Sequence, residues 1–163
     1  MNGIREKAHR LPREAYQGEV TASITVCLAH RTPVFVDEAV VATCVEILRA
    51  SAGRWSCVVA VYCFMPDHVH ILLHGNNPEA DLWRTVVDFN QGSGYWLSRH
   101  RPGVSWQKDF HDHIIRQSED LVTHVRYILD NPRRKGLVSD WEAYQFKGAV
   151  GCSLEDVLGA LPL

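Results

Sequence analysis

Two histidines one residue apart lie in the middle of an apolar run. The stretch is FMPDHVHILL, residues 64–73, and the histidines are His68 and His70. If the run is a β-strand, residues i and i+2 share a side, so the two imidazoles project together while Val69 and Ile71 face the core. Two adjacent imidazoles can hold one divalent metal ion if a third ligand arrives from elsewhere. The pattern is equally consistent with a pair of surface or hydrogen-bonded histidines.

A tyrosine further along the chain is the second candidate for chemistry. In SEDLVTHVRYILDN, residues 118–131, the apolar residues follow helical spacing. Tyr127 falls roughly 160° from the centre of that apolar stripe, at about 100° per residue. Asn131 follows one turn later, so a phenol and an amide oxygen can approach one metal site from one helix. Periodicity alone also allows Tyr127 to cover a neighbouring loop, with Asn131 ending the helix before Pro132.

Strand and helix patterns place these residues in an α+β fold. Alternating and β-branched segments predict strands at 19–28, 55–64, 68–74 and 109–116, and helical spacing predicts helices at 37–51, 79–99 and 118–131. A turn at 65–67 makes the middle strands a hairpin, and GSG at 92–94 is expected to interrupt or loosen the second helix. The order is a ferredoxin-like or RRM-like β-α-β-β-α-β core with an added C-terminal helix that carries the tyrosine. The segment after Gly136 is expected to be loosely folded, with a short helix near 153–160.

Length and composition limit the class of protein. With 163 residues and 46% hydrophobic content, the chain is expected to form one domain, with its core at about 18–145 and a tail at 146–163. No apolar run reaches the roughly 20 residues that cross a bilayer, and the start is too polar for a secretory signal, so we expect a cytoplasmic protein outside the membrane. Five scattered cysteines without a CxxC pair indicate reduced thiols. The formal charge of −2 gives no global sign of nucleic-acid binding, although basic residues cluster locally.

Three stretches together resemble one known family. They are FMPDHVHILL, SWQKDFHDHIIR and VRYILDNPRRKGLV, in this order and spacing. They resemble the one-tyrosine HUH transposases that act on single-stranded DNA, and most closely the REP-associated tyrosine transposases of bacteria. The resemblance covers approximately residues 18–145. It implies a ferredoxin-like domain whose open sheet face carries a histidine pair and whose following helix presents a nucleophile.

The resemblance assigns roles to particular residues. It implies that His68 and His70 are the HUH pair and that Tyr127 is the nucleophilic tyrosine. In related insertion-sequence enzymes a polar residue one turn after the tyrosine completes the metal site. Here that position is Asn131, whose amide is a weaker ligand than a carboxylate.

Further residues are expected to contact DNA. The basic N-terminal stretch at 5–13 and the cluster after the tyrosine helix are candidates for phosphate contacts. An aromatic side chain before the fourth strand can stack a base. A recurrent Asp-His pair in the family's fourth strand is expected to contact DNA or the metal ligands, and a structural role is equally consistent. The DNA-binding candidates are Arg133, Arg134, Lys135, Trp106, Asp112 and His113.

The implied reaction is cleavage and rejoining of single-stranded DNA at hairpin-flanked sites. A phenol with a pKa of about 10 is a poor nucleophile at neutral pH, so a metal ion is expected to assist it. Mg²⁺ or Mn²⁺ on the two histidines and the amide is implied, and imidazole ligands favour Mn²⁺. Attack by the tyrosine would give a 5′-phosphotyrosine and a free 3′-hydroxyl. The family's substrates are imperfect REP-like hairpins with a short guide tetranucleotide, and its members act as monomers or as homodimers.

Other classes fit parts of the pattern. A non-catalytic RRM-like binder of RNA or DNA predicts aromatic residues on the open sheet face, where the second hairpin strand has His68, His70, Leu72 and His74. A phosphoesterase with two HxT-type motifs is disfavoured because we identify one HxH motif, at 68–70, and no second copy. A domesticated relative that binds DNA is the third alternative.

Overall fold

The computed structural model describes residues 10–161, and its centre is one five-stranded antiparallel sheet. The strands are β1 (Thr21–Cys27), β2 (Cys57–Met65), β3 (His68–Gly75), β4 (His111–Ile115) and β5 (Lys147–Val150), in the order β4-β1-β3-β2-β5. The helices are α1 (Glu38–Arg54), α2 (Leu82–His100), α3 (Ser118–Arg134) and α4 (Leu154–Ala160). The predicted α+β class and the order β-α-β-β-α-β followed by a helix are confirmed.

Strand alternation separates a core face of the sheet from the face that carries the histidines. One face is apolar and fully buried, and its residues on β1 and β3 are Ala22, Ile24, Val26, Val69, Ile71 and Leu73. Helices α1 and α2 pack against each other over this face. Burying a side chain of valine, leucine or isoleucine contributes roughly 1.5 to 3 kcal/mol, so this layer strongly specifies the register of β3. The intervening residues His68 and His70 are therefore held on the opposite face.

Helix α2 runs without interruption, so the expected break at GSG is wrong. Its two glycines lie where neighbouring groups come close. A Cβ added at Gly92 would lie 3.1 Å from Cγ2 of Ile47 on α1, and one added at Gly94 would lie 3.4 Å from Cδ1 of Trp106. Ser93 between them is buried and donates a hydrogen bond to the carbonyl of Phe89. The glycines mark a close helix contact rather than a helix end.

The tyrosine helix is longer than predicted. Helix α3 continues through Pro132 to Arg134, and Gly136 follows with a φ of +75°. A proline in the last turn removes one backbone donor, while the N–H groups of Lys135 and Leu137 still donate to carbonyls of that turn at 3.0 and 2.9 Å. The positive φ of Gly136 then ends the helix.

The segment after α3 is more regular than the sequence suggests. Strand β5 pairs with β2, so the expectation of a loosely folded tail is wrong there. The short helix predicted near 153–160 is confirmed as α4. Over residues 10–161, none of the helices combines the length and apolar character needed to cross a bilayer.

Candidate active site

His68 and His70 lie side by side on β3 with their Nε2 atoms 3.2 Å apart. Both side chains are buried, and the rings are nearly perpendicular. The other nitrogen of each ring has its own partner. Nδ1 of His68 lies 2.6 Å from Oδ1 of Asp67, and Nδ1 of His70 lies 3.0 Å from Oγ1 of Thr25. The two Nε2 atoms are therefore left facing each other.

Burial lowers the pKa of both imidazoles. For His70, burial, then the charge that His68 carries when it is protonated, and then the positive charges of Arg134 and Arg31 lower the pKa to about 3. For His68, burial lowers the pKa while Asp67 opposes part of that shift. At neutral pH both rings are therefore neutral, and with the ring protons on Nδ1 each Nε2 carries a lone pair. In that tautomer the two lone pairs converge and can bind one cation.

Asn131 brings a third donor to the histidine pair. Its side chain is 2% exposed, and Nδ2 donates to Nε2 of His70 at 2.8 Å while Oδ1 faces Nη2 of Arg134 at 3.4 Å. Rotation of the amide exchanges its oxygen and nitrogen, so Asn131 can present Oδ1 to the same point.

The donor set fits one divalent ion. With metal–nitrogen bonds of about 2.1 Å, the observed 3.2 Å between the two Nε2 atoms corresponds to an angle of about 100° at a shared ion. Within residues 10–161, no group of three or more His, Cys, Asp or Glu side chains is placed to bind a metal. The cluster therefore depends on the amide of Asn131 as its third protein donor.

Tyr127 lies on α3 beside this cluster. Its side chain is 50% exposed, and its ring stands edge-on to that of His70 with centroids 5.9 Å apart. The guanidinium carbon of Arg134 lies 4.0 Å from the centroid of the tyrosine ring, and Nη2 donates to the Tyr127 carbonyl at 3.0 Å. Helix α3 thus places a phenol and an amide one turn apart over the sheet face that carries the histidines.

The basic cluster after the tyrosine divides into three environments. Arg133 forms two hydrogen bonds to Asp130 at 2.6 and 2.8 Å, which oppose its charge. Arg134 stacks on Tyr127, and Lys135 is exposed at the end of the helix. Of the N-terminal basic residues, Arg5 and Lys7 lie outside the described residues.

Asp112 and His113 point to opposite faces of the sheet. Asp112 lies on the core side, where it accepts a hydrogen bond from Tyr16 and forms an ion pair with Arg10 at 3.1 Å. His113 is on the face of the histidine pair and stacks on His124 of α3, with centroids 5.1 Å apart and planes 17° apart. His113 therefore lies on the face of the candidate site, whereas Asp112 holds the N-terminal segment through Tyr16 and Arg10.

Trp106 also lies on the core side of the sheet. Its ring packs against Phe35 and Phe89, and its indole N–H donates to Oγ of Ser93 at 2.9 Å. The structure therefore does not bring Trp106 to the histidine face. These contacts make Trp106 part of the core between the helices and the sheet.

A second His-x-His motif lies on β4, so the expectation of a single such motif is wrong. His111 and His113 pair with Thr25 and Ser23 of β1. Thr25 pairs on its other side with His70. Directly paired residues share a face, so all of these side chains lie on the histidine face. The alternation of HDH on a strand is the signal that reveals this motif in the sequence.

Two residues that hold the histidines are absent from the predicted site. Asp67 directly precedes His68 and also accepts hydrogen bonds from Arg31, of which the shorter measures 2.9 Å. Its adjacency to the motif is a sequence signal that could have identified it. Thr25 lies far away in the chain and becomes a partner of His70 only through the register of β1 and β3.

Comparison with known proteins shows the family to which the chain belongs. A family model described as "Transposase IS200 like" matches residues 17–131, which is most of the chain. The chain belongs to the IS200-like transposase family. The matched region of this IS200-like chain includes both histidines of β3, Tyr127 and Asn131.

Two relatives of this IS200-like chain are named as REP-associated tyrosine transposases. A protein of Haemophilus influenzae named a REP-associated tyrosine transposase is 30% identical over 104 residues, covering 52% of this chain and 56% of that protein. The REP-associated tyrosine transposase of Escherichia coli K12 is 30% identical over 91 residues, covering 51% of this chain and 50% of that protein. The chain spans about half the length of each of these relatives.

A solved structure of a REP-associated tyrosine transposase bound to a REP hairpin superimposes with a TM-score of 0.72 at 19% identity, covering 85% of this chain and 80% of that one. The two proteins share the fold. The resemblance inferred from the three sequence stretches is thereby confirmed at the level of family and fold.

Proposed function

We propose that this chain is a metal-dependent transposase of the REP-associated type that cuts and rejoins single-stranded DNA through Tyr127. The observation that carries the proposal is an exposed tyrosine beside a buried cluster in which two imidazole nitrogens and an amide converge. Family membership supports transposase activity, and the names of the two relatives support the REP-associated type.

The chain's own residues can hold and orient a divalent ion. Nε2 of His68, Nε2 of His70 and Oδ1 of Asn131 are the proposed ligands, with Mn²⁺ favoured over Mg²⁺ because two of them are imidazoles. Such an ion would polarise a phosphate oxygen and offset the negative charge that develops there. Asp67 and Thr25 hold the Nδ1 atoms and so keep both Nε2 lone pairs pointed at one place.

The proposed cleavage is one exchange of bonds at phosphorus. Oη of Tyr127 forms a bond to phosphorus as the bond from phosphorus to the 3′-oxygen breaks. The electron pair leaves with that oxygen, which takes up a proton to become a 3′-hydroxyl, while the phenol proton passes to solvent. The DNA 5′-phosphate stays on the tyrosine until a 3′-hydroxyl displaces it, so rejoining needs no ATP. Arg134 holds the tyrosine ring in place by stacking on it.

We propose a hairpin-bearing single strand as the substrate. The solved relative with a bound REP hairpin supports this choice. An open sheet face with a tyrosine above it also accepts an unpaired backbone more readily than a duplex. Helix α3 lies over the histidine pair of its own chain, so one chain holds a complete residue set.

Conservative removal of the phenol oxygen tests the proposal. Tyr127→Phe keeps the ring that Arg134 stacks on, so the fold and DNA binding should be retained while cleavage of a labelled hairpin strand with Mn²⁺ is lost. Tyr95→Phe is the matched control, because Tyr95 is another exposed tyrosine and lies on α2. A Tyr127→Phe protein that still cuts the strand would contradict the proposal. A wild-type protein that binds hairpins and cuts none would instead be a non-catalytic binder.

A further inference from the structure

A row of histidines leads away from the proposed reaction centre along the sheet face. We propose that the cleft between β4 and α3 binds an unpaired nucleobase next to the scissile phosphate, and that the stacked imidazoles of His113 and His124 are its platform. This inference rests on the proposed function and adds a base-binding subsite to it.

The cleft begins at the proposed reaction centre. It has a volume of about 310 Å³, and His70 with Tyr127 lines one end of it. Ser23 and Thr123 also line it, together with the β4 histidines. Its described lining includes the carboxylate of Asp112 and no lysine or arginine, which suits a base edge better than a second phosphate.

The two stacked imidazoles present an aromatic surface. Their planes are 17° apart with centroids at 5.1 Å, and His113 is exposed on β4. Burial lowers the pKa of His124, its neighbour His113 lowers it further, and Asp120 opposes them. Aromatic side chains stack unpaired bases with little sequence preference because every base has a π-face.

A second metal site is the weaker interpretation of the same residues. Near-parallel rings stack through their faces and do not aim their lone pairs at one point between them. Within residues 10–161 these histidines are not placed as a metal-binding group. Stacking is therefore the interaction that the observed geometry favours.

The distance to the reaction centre suits a neighbouring nucleotide. His70, Thr25 and His111 occupy directly paired positions on three adjacent strands. His113 lies two residues further along β4 than His111, so two strand spacings and two residue rises place it about 12 Å from His70. A base attached next to a phosphate held at His68 and His70 can therefore reach the far end of the cleft.

The experiment uses a hairpin oligonucleotide that the wild-type protein cuts, with 2-aminopurine placed in turn at each unpaired position around the cut. In the non-cutting Tyr127→Phe background, one position beside the cut should be quenched on binding. His113→Ala should abolish that quenching and weaken binding roughly 5- to 100-fold, whereas His113→Phe should restore both because it keeps a stacking ring. His100→Ala is the matched control, since His100 stacks on Trp96 on α2.

The outcomes separate this inference from the proposed function. If the wild type forms the tyrosine adduct but folded His113→Ala binds and quenches like its parent, the subsite is wrong and the proposed function stands. If His113→Ala loses quenching and His113→Phe fails to restore it, the histidine acts by hydrogen bonding or charge, and the stacking platform is wrong. If the wild type forms no adduct on any hairpin strand, the proposed function and the subsite both fail. Thermal unfolding of each variant confirms that the variants are folded.

Discussion

Asn131 joins the tyrosine helix to the histidine pair. Its amide is almost completely buried and lies in hydrogen-bond contact with His70 and at 3.4 Å from Arg134. An amide oxygen is a neutral donor, so the proposed site binds a divalent ion with less charge compensation than a carboxylate would give. This makes the position a sensitive probe of whether a metal is bound there.

We therefore predict opposite effects of two substitutions at this position. Asn131→Ala should weaken Mn²⁺ binding by about 10-fold or more, because it removes one protein ligand, while Asn131→Asp should strengthen binding by adding charge. Isothermal titration calorimetry with Mn²⁺ measures both. Unchanged affinity in a folded Asn131→Ala protein would remove Asn131 from the site.

The carboxylate of Asp67 gives a second prediction at the same scale. Asp67→Asn should reduce Mn²⁺ affinity roughly 10- to 100-fold, because the carboxylate fixes the tautomer and orientation of His68. Asp88→Asn is the matched control, since Asp88 accepts hydrogen bonds from Arg54 and Trp55. An Asp67→Asn protein with wild-type affinity would show that the hydrogen bond does not orient the ligand.

The sequence predicts correctly which face of the sheet a side chain lies on, because strand alternation alone determines it. The shared face of His68 and His70 follows from their spacing and from the apolar residues between and beside them. The partnership of His70 with Thr25 depends on strand register, and the contact with Asn131 depends on how α3 crosses the sheet. Neither is encoded in a local pattern.

At the scale of elements, the end of α3 carries unequal positive charges. Arg133 lies 2.6 Å from the carboxylate of Asp130, Arg134 lies 3.7 Å from the same carboxylate, and Lys135 is exposed. Affinity for single-stranded DNA falls as salt rises, and each phosphate contact adds about 0.7 to the steepness of log affinity against log salt. We predict that Arg134→Ala and Lys135→Ala each make this dependence shallower by about 0.7, and that Arg133→Ala has a smaller effect. Binding titrations at several salt concentrations measure the slopes.

The control for this series is Arg49→Ala, because Arg49 lies on α1 and pairs with Glu46. Equal slopes in all the variants would mean that the basic cluster is solvated surface. A dominant effect of Arg133 would mean that DNA displaces Asp130 from it.

The two glycines of α2 give a prediction about helix packing. Gly94→Ala should raise the free energy of unfolding by up to about 1 kcal/mol, because the new methyl group meets Trp106 at ordinary contact distance and alanine favours the helix. Gly92→Ala should gain less, since its methyl group would lie 3.1 Å from Ile47. Urea denaturation compares the two. A larger gain for Gly92→Ala would contradict the proposed contact.

Helices and strands with a regular hydrophobic pattern could be predicted from the sequence. Features that depend on pairing or packing with a neighbouring element could not. The four residues of β5 include Gly148 and show no alternation, and the strand exists through its pairing with β2. The GSG segment of α2 was predicted as a break because glycine disfavours a helix, but packing against Ile47 and Trp106 outweighs that preference.

At the scale of the whole molecule, the N-terminal segment is tied to the edge of the sheet through Tyr16. Its hydroxyl donates to Asp112 on β4, which also pairs with Arg10. Burial and then the hydrogen bond and charge of Asp112 raise the pKa of Tyr16 to about 12. The folded state therefore favours the neutral phenol.

This contact predicts a loss of stability at high pH. The contribution of Tyr16 is complete below about pH 10, the pKa of an unfolded tyrosine, and is lost as the pH rises toward 12. The loss should be about 2 to 3 kcal/mol. Tyr16→Phe should flatten the fall in the free energy of unfolding between pH 10 and 12, as measured by urea denaturation. An unchanged pH dependence in that variant would contradict the assignment.

The whole sheet divides its tasks between two faces. One face holds the core under α1 and α2, and the other places the histidines beneath α3. The central claim is that Tyr127 on this second face becomes covalently joined to DNA. Incubation of a hairpin single strand with Mn²⁺, nuclease trimming and mass spectrometry of the peptides locates the attached 5′-nucleotide directly. The account predicts attachment at Tyr127, and attachment at Tyr16, Tyr62, Tyr95 or Tyr144 would contradict it.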